Sequence, residues 1–390
     1  MKIRVNKDRL LISLDGSLDS NNARNVEEEI LRAVEANSGL TPSFDMSELK
    51  YISSAGLRVL MKVRKIAGEN VEINDVTPDV YEIFDTTGMS EIFKIRKKMR
   101  ELSIEGLDII GEGCNGKVYR LDADTIVKVY EANNALEIIE NEKKMAKMAF
   151  LKGIPTAISF DIVKVGDTLG AVFELLDAKT FNDLIIEDPG SIDDIVKKYV
   201  DVMKQIHDTE VEKDVVPVAK DIYKGYLEKQ KKFMPEEMSN KLSKLLDEMK
   251  VYTHLVHGDI QMKNVMLSDG EPMIIDMDTL CMGHPLFDFC GLYVTYKLFK
   301  EDEPDNTLKF LGISSEISDM IWDKTFRYYY ADKAEEEREV ILNKIRILAS
   351  IRFLYLISGT VRMSDERAEK RISHTISHIN ELLDKVDDLN

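Results

Sequence analysis

The chain is short of cysteine, of basic charge and of long apolar runs, and each shortage excludes something. Its 390 residues include three cysteines, Cys114, Cys281 and Cys290, an odd number without paired spacing. That excludes a disulfide scaffold and points to reduced thiols in the cytosol. Lys and Arg number 53 against 71 Asp and Glu, for a formal net charge of -18. A nucleic-acid protein needs a basic face, so no nucleic-acid partner is expected; a cationic substrate is permitted. The opening stretch MKIRVNKDRLLISLDG scatters charge through itself and has no apolar leader core. The apolar run over Ile345–Ser358 is broken by Arg346 and Arg352, too short and too charged to span a bilayer. The expectation is a soluble cytoplasmic protein with no membrane partner. There are no repeats and no low-complexity segments.

What is present suffices for folded cores: 44% hydrophobic residues beside 32% charged. The length suggests two or three domains, and two regions differ in pattern. Residues 1–100 alternate short strands (Ile3–Val5, Leu10–Leu14, Ser43–Met46, Val71–Ile73) with helices (Ala23–Ala36, Ser54–Ala67, Pro78–Phe84), a small α/β or α+β domain. The basic stretch Lys94–Arg100 reads as a solvated domain boundary, with docking onto an acidic second domain as the sharper alternative. From about residue 104 to 390, a glycine-rich turn and short strands give way to helices after Asn182.

The most specific stretch is HGDIQMKN, His257–Asn264, followed by Asp276 and Asp278 in IIDMD. Between them, Val265–Leu267 and Met273–Ile275 flank the turn Ser268-Asp269-Gly270 and read as a hairpin. An antiparallel return places Asn264 beside Asp276, with Asp259 a short loop away. Hard oxygen donors converging on one point suit Mg²⁺, which keeps substrate phosphates among its ligands. Asp259 is then a candidate to take a proton from a hydroxyl, the layout of a kinase-type phosphotransferase.

Upstream, Gly111, Gly113 and Gly116 with Val118 form a GxGxxGxV loop. A strand-like stretch follows it instead of the helix that a dinucleotide-binding turn would open, which favours a flap over ATP phosphates. Lys128 lies among apolar residues on the next strand, Thr125–Tyr130, and needs a partner. In the helix around Asn134–Phe150, the apolar positions Ile138, Ile139, Met145, Ala146 and Ala149 leave one gap on the buried stripe, and Glu142 fills it. A carboxylate there is costly unless paired, so Lys128 and Glu142 are expected to meet. Phe173–Leu176, including Glu174, ends a strand where a hinge would bind adenine through its backbone.

These elements resemble the aminoglycoside phosphotransferase and choline kinase family, over about residues 104–365. The resemblance implies a bilobal protein-kinase-like fold with a β-rich N-lobe and a helical C-lobe. It implies Asp259 as catalytic base, Asn264 and Asp276 on Mg²⁺, and Asp278 in support. It also implies that His257 braces the catalytic loop through its backbone and that Asp288 holds it from the C-lobe. Protein kinases carry lysine two residues after the catalytic aspartate; here that residue is Gln261. Asp278 also passes to Gly283-His284-Pro285 without an activation segment able to hold a peptide. Both points favour a small-molecule acceptor. Gly153–Val163, GIPTAISFDIV, further resembles a bacterial subgroup of the family.

The segment Asp45–Lys65, DMSELKYISSAGLRVLMKVRK, is similar to the central motif of the STAS family, the anti-sigma-factor-antagonist domains. In that family a partner kinase phosphorylates a serine at a helix N-terminus, which by position is Ser54, the candidate phosphosite; Ser53 and Ala55 depart from the usual Asp-Ser-Ser-Gly loop. A helix N-terminus suits a phosphate, while the plainer reading is that Ser53 and Ser54 only cap the helix. Leu57, Leu60 and Met61 read as its apolar face. The resemblance implies a protein partner for this domain.

The leading expectation is an ATP- and Mg²⁺-dependent kinase of a small molecule's alcohol group, with a regulatory STAS domain. The alternatives are a nucleotide-binding signalling adaptor without catalysis, which the intact residue set argues against, and a protein kinase acting on a STAS serine, which the short activation segment argues against. His374 and His378, four apart, suit a metal, but no third ligand is in reach by sequence.

Overall fold

The structure, a computed structural model, describes residues 1–6, 8–68, 70–113, 116–132, 134–176, 178–359 and 365–390. Cys114, in the glycine-rich loop, lies outside them. The chain forms two compact units, Met1–Ser103 with Ile162–Asp167, and Ile104–Asp161 with Thr168–Asn390. The range 104–390 expected for the second domain is therefore interrupted. Arg100–Glu101 pairs in parallel with Val163–Lys164, and the Leu102 amide donates to the Lys164 carbonyl at 2.8 Å, which draws residues 162–167 to the first unit.

The first unit is a sheet of β1 (Lys2–Asn6), β2 (Arg9–Leu18), β3 (Thr41–Ile52), β4 (Glu72–Val76) and β5 (Lys94–Lys97), in that order. β1 and β2 are antiparallel and the other pairings are parallel. Parallel neighbours need crossovers, and helices α1 (Ala23–Ala36), α2 (Ser54–Ala67), α3 (Pro78–Thr86) and the short α4 (Met89–Ile92) occupy them. Leu10, Ile12 and Leu14 alternate into the core of β2. α2 buries Val59, Leu60 and Val63, whereas Met61 is 38% exposed, so its apolar face is rotated from the one read as Leu57, Leu60 and Met61. Val59 and Val63 both lie to one side of Leu60 on the helix wheel and Met61 to the other, so burying the valines turns Met61 outward.

The basic run is also corrected. Lys94–Lys97 is a strand beside β4, not a boundary segment. Lys94 lies 3.6 Å from Glu72, the Lys97 ammonium sits 3.7 Å over the Tyr81 ring, and Lys98 donates to the Ser47 carbonyl at 3.0 Å. These cations are partnered inside the first unit.

The second unit opens with antiparallel strands Ile109–Gly113, Gly116–Arg120, Thr125–Tyr130 and Thr168–Glu174, with helix Ala135–Leu151 alongside. Helices dominate the rest. The longest, Glu335–Gly359, buries Ile345, Leu348, Ile351, Phe353 and Leu354 around its circumference, as expected of a helix at the centre of a core. It packs against Ala219–Gln230, Leu286–Tyr293 and Asp365–Leu382. Among the described residues, no helix is long and apolar enough to cross a membrane.

Candidate active site

The loop from His257 to Asn264 is closed at its base by two short strands. Leu255–Val256 and Cys281–Met282 pair antiparallel, so everything between them is one excursion from the core. Inside it, Val265–Ser268 and Glu271–Ile274 form the expected hairpin. Asp269 and Gly270 both have positive φ, 50° and 85°, the backbone of a tight two-residue turn. The Ile275 amide donates to the Asn264 carbonyl at 3.0 Å, which fixes Asn264 beside the residue preceding Asp276. Asp276 itself is left-handed, φ 64° and ψ 57°, a costly conformation for a residue with a Cβ.

Asp288 anchors the loop's start. Its carboxylate accepts from the His257 amide at 2.9 Å and the Gly258 amide at 2.6 Å. It also lies 2.9 Å from His207 Nε2, whose Nδ1 meets the Tyr329 hydroxyl at 2.8 Å. Burial pushes the Asp288 carboxyl up, but the hydrogen bond and charge of His207, with the contacts of His257, outweigh it and hold it below the usual carboxylate range. His257 is braced by its backbone and by its ring, since Nε2 meets the Ile275 carbonyl at 3.2 Å and Nδ1 accepts from the Asp259 amide. Gly258 (φ 84°) could not be replaced without strain, because a Cβ there would come within 2.5 Å of the Thr279 carbonyl oxygen.

The loop presents Asp259 with both carboxylate oxygens occupied. Arg352 Nη2 donates to Oδ1 at 3.1 Å and Gln261 Nε2 to Oδ2 at 3.1 Å. Arg352 also donates through Nη1 to the Gly258 carbonyl. Asn264 spends Nδ2 on the Asp259 carbonyl at 2.8 Å, leaving its side-chain oxygen as an acceptor. That oxygen and the Asp276 carboxylate are hard donors, a chemistry that fits Mg²⁺.

Lys128 reaches the loop from the strand-rich part of the unit. Its Nζ lies 3.2 and 3.3 Å from the Glu142 carboxylate oxygens and 2.6 Å from Asp276 Oδ1. Glu142 is 6% exposed and also accepts from the Tyr130 hydroxyl at 2.6 Å. Burial lowers the Lys128 pKa, but Asp276 and Glu142 more than reverse this and raise it above the ordinary lysine value. Asp278 is pushed up to about 7, first by burial and then by Asp276 and Glu142.

The glycine loop is a hairpin in which Gly111 opposes Val118 and Gly113 opposes Gly116. A Cβ on Gly116 (φ 148°) would lie 1.9 Å from the Val129 carbonyl oxygen, so only glycine lets these strands approach. Glu174 ends its strand exposed, and the next amide, Leu175, is already committed to the Asp124 carbonyl at 2.7 Å.

Arg352 and Tyr130 were missed from sequence. Arg352 had a signal, a charge breaking an apolar helix, which read only as evidence against a membrane span. It lines a cavity of about 210 Å³ with Ile222, Tyr223, Tyr226, Phe287 and Asp278. In the first unit, Ser53 caps α2, accepting from the Ala55 and Gly56 amides at 3.2 and 3.5 Å, while Ser54 is the exposed first residue of that helix.

A family model described as a phosphotransferase enzyme family matches residues 107–312, and a STAS domain model matches residues 1–102. BtrV of Bordetella bronchiseptica, assigned as an anti-sigma factor antagonist, is 37% identical over 101 residues, 24% of this chain and 85% of that protein. The ADP-bound aminoglycoside phosphotransferase APH(2'')-Ib aligns at 16% identity with a TM-score of 0.48, over 77% of this chain and 98% of that one. A choline/ethanolamine kinase family protein from Mesorhizobium loti aligns at 15% identity with a TM-score of 0.43, over 71% of this chain and 92% of that one.

Proposed function

The chain belongs to the phosphotransferase enzyme family and carries a STAS domain in residues 1–102, and from that premise we propose that it moves the γ-phosphoryl group of ATP to a hydroxyl of a small molecule, with Mg²⁺, under the influence of the STAS domain. The observation that carries this is the meeting of Lys128 with Glu142 and Asp276, 14 and 148 positions away. A lysine held by a buried glutamate and touching a carboxylate of the reacting loop is placed to receive α- and β-phosphates.

In the proposed reaction the bond between the γ-phosphorus and the β–γ bridging oxygen breaks, and a bond to the acceptor oxygen forms. Asp259 orients the acceptor hydroxyl and takes its proton, and ADP leaves. Arg352 and Gln261 fix the Asp259 carboxylate, and each of its oxygens keeps a lone pair for the acceptor. Asn264 and Asp276 would hold Mg²⁺, with Asp278 in support; the ion supplies charge neutralisation at the phosphates. The hairpin of Gly111, Gly113, Gly116 and Val118 covers those phosphates. Adenine contact falls to the Glu174 carbonyl, since the Leu175 amide is already used.

A small acceptor is supported by the chain after Asp278, which folds back at once into the Cys281–Met282 strand. Ser54, exposed at the start of α2, is the proposed phosphosite through which a partner would act.

The test is ADP release from MgATP by the full chain against a panel of hydroxylated amines, sugars and nucleosides. Acceptor-dependent release should appear, fall by about 10²–10³-fold in Lys128→Ala, vanish in Asp276→Ala, and change in rate in Ser54→Asp. Release that is indifferent to Lys128 and Asp276 would refute the reading of the site.

A further inference from the structure

Away from the phosphoryl-transfer site, three side chains converge that no part of the proposed reaction uses. His374 and His378 lie one turn apart on the helix Asp365–Leu382 and share a face, their ring centroids 4.6 Å apart. The fold brings Glu301, at the end of the short helix Phe299–Glu301, against them. Glu301 Oε1 lies 3.3 Å from His378 Nε2 and 4.0 Å from His374 Nε2, and one ligand atom from each of the three residues falls within 4.8 Å of the others. The third ligand that sequence spacing could not supply comes from 73 positions upstream of His374.

We infer that His374, His378 and Glu301 bind a borderline transition-metal dication, Zn²⁺ or an ion of like preference. Imidazole nitrogens and a carboxylate oxygen hold zinc at about 2.0–2.2 Å, which sets ligand atoms about 3.4 Å apart around a tetrahedral ion. The 3.3 Å edge already has that length, and the 4.0 Å edge needs a small closure. Two neutral donors with one anion match the two-histidine, one-glutamate set that zinc accepts with a water in the fourth position. Glu301 is exposed and both histidines are half-buried, so the fourth position opens to solvent.

A second observation points the same way. His374 turns its other ring nitrogen, Nδ1, to Asp302 Oδ1 at 3.5 Å. A ligating histidine whose second nitrogen faces a carboxylate is held in one tautomer with its free nitrogen toward the ion. Lys370 lies 3.4 Å from the same Asp302 oxygen, which leaves Asp302 as an orienting group and Glu301 as the ligand. The ion would tie together two helices that already touch where Arg371 donates to the Phe299 carbonyl at 3.2 Å. Metal occupancy should therefore be visible in stability as well as in binding.

The experiment uses the full, nucleotide-free chain, freed of metal by chelator and dialysis. Zn²⁺ titration by calorimetry should show a site that His378→Ala weakens by on the order of 100-fold and Asp302→Asn by about 10-fold. Co²⁺ should give the visible absorption of a low-coordinate nitrogen-ligated ion in the wild type and lose it in His378→Ala. Zn²⁺ should raise the melting temperature of the wild type and leave that of Glu301→Gln, a near-isosteric change on an exposed side chain, unmoved. Zn²⁺ affinity and melting shift shared equally by the wild type, His378→Ala and Glu301→Gln would overturn the inference, as would a wild type that binds no Co²⁺ in the visible assay.

Discussion

Arg352 and Glu142 both sit where helix periodicity calls for apolar side chains, and their contrast shows what a residue reveals by itself. Glu142 was legible because its partner Lys128 is 14 positions away on an adjacent strand, and the gap it fills in an apolar stripe demands a cation. Its second neighbour, the Tyr130 hydroxyl, and the reach of Lys128 to Asp276 were not legible, because they depend on side-chain direction and on a contact across 148 positions. Arg352 offered the same kind of gap, but its partners lie 93 and 94 positions upstream and nothing local names them. Its planar fork holds Gly258 and Asp259 together, a geometry lysine cannot reproduce. Arg352→Met should lower kcat by about 10–100-fold, since a misplaced reacting group costs rate steeply, while KM for ATP stays near the wild-type value. Arg352→Lys should not restore the rate. Steady-state kinetics with the acceptor found in the panel checks this, and an unchanged kcat in Arg352→Met would remove Arg352 from the positioning of Asp259.

Elements defined by local chemistry were read closest to the structure. The hairpin that sets Asn264 beside Asp276 follows from a turn of Ser-Asp-Gly between apolar strands; in the structure the first strand runs on to Ser268 and the return strand spans Glu271–Ile274, so the turn tightens to Asp269-Gly270. The basic stretch was misread because its partners Glu72, Tyr81 and Ser47 come from elements earlier in the chain, so a strand looked like a boundary. The helix Leu286–Tyr293, which carries Asp288, depends on an element-level contact of the same kind. His284 Nδ1 accepts from the Leu286 amide at 3.1 Å at the start of that helix. Burial, with His207 and Lys344 nearby, lowers the His284 pKa to about 4. The unfolded chain takes up a proton at His284 below about 6.5 and the folded chain does not until about 4. Stability from this group is therefore complete above pH 6.5 and falls as pH drops toward 4, by on the order of 1–3 kcal/mol. In His284→Asn, denaturant midpoints measured from pH 7.5 to 4 should show a shallower acid decline than the wild type. An identical slope would mean that His284 does not titrate across folding.

At the scale of the molecule, Lys128, Glu142, Asp259, Asn264 and Asp276 all belong to the second unit, and Ser54 to the first. The order of the two units was legible from two motifs, HGDIQMKN and the Ser53–Gly56 loop, each of which occupies a helix or strand terminus where backbone groups need partners. The excursion of residues 162–167 to the first unit was not, because a parallel pairing of two residues with two leaves no periodic trace. The proposed role of Asp259 is to act on the acceptor after nucleotide has bound independently of it. The direct test is rapid mixing of the full chain with MgATP and the acceptor, comparing wild type with Asp259→Asn for nucleotide affinity and for phosphoryl transfer in a single turnover. If Asp259 has that role, Asp259→Asn keeps nucleotide affinity close to wild type and transfers phosphoryl more slowly by about 10²–10⁴-fold. Transfer at the wild-type rate by Asp259→Asn would contradict it.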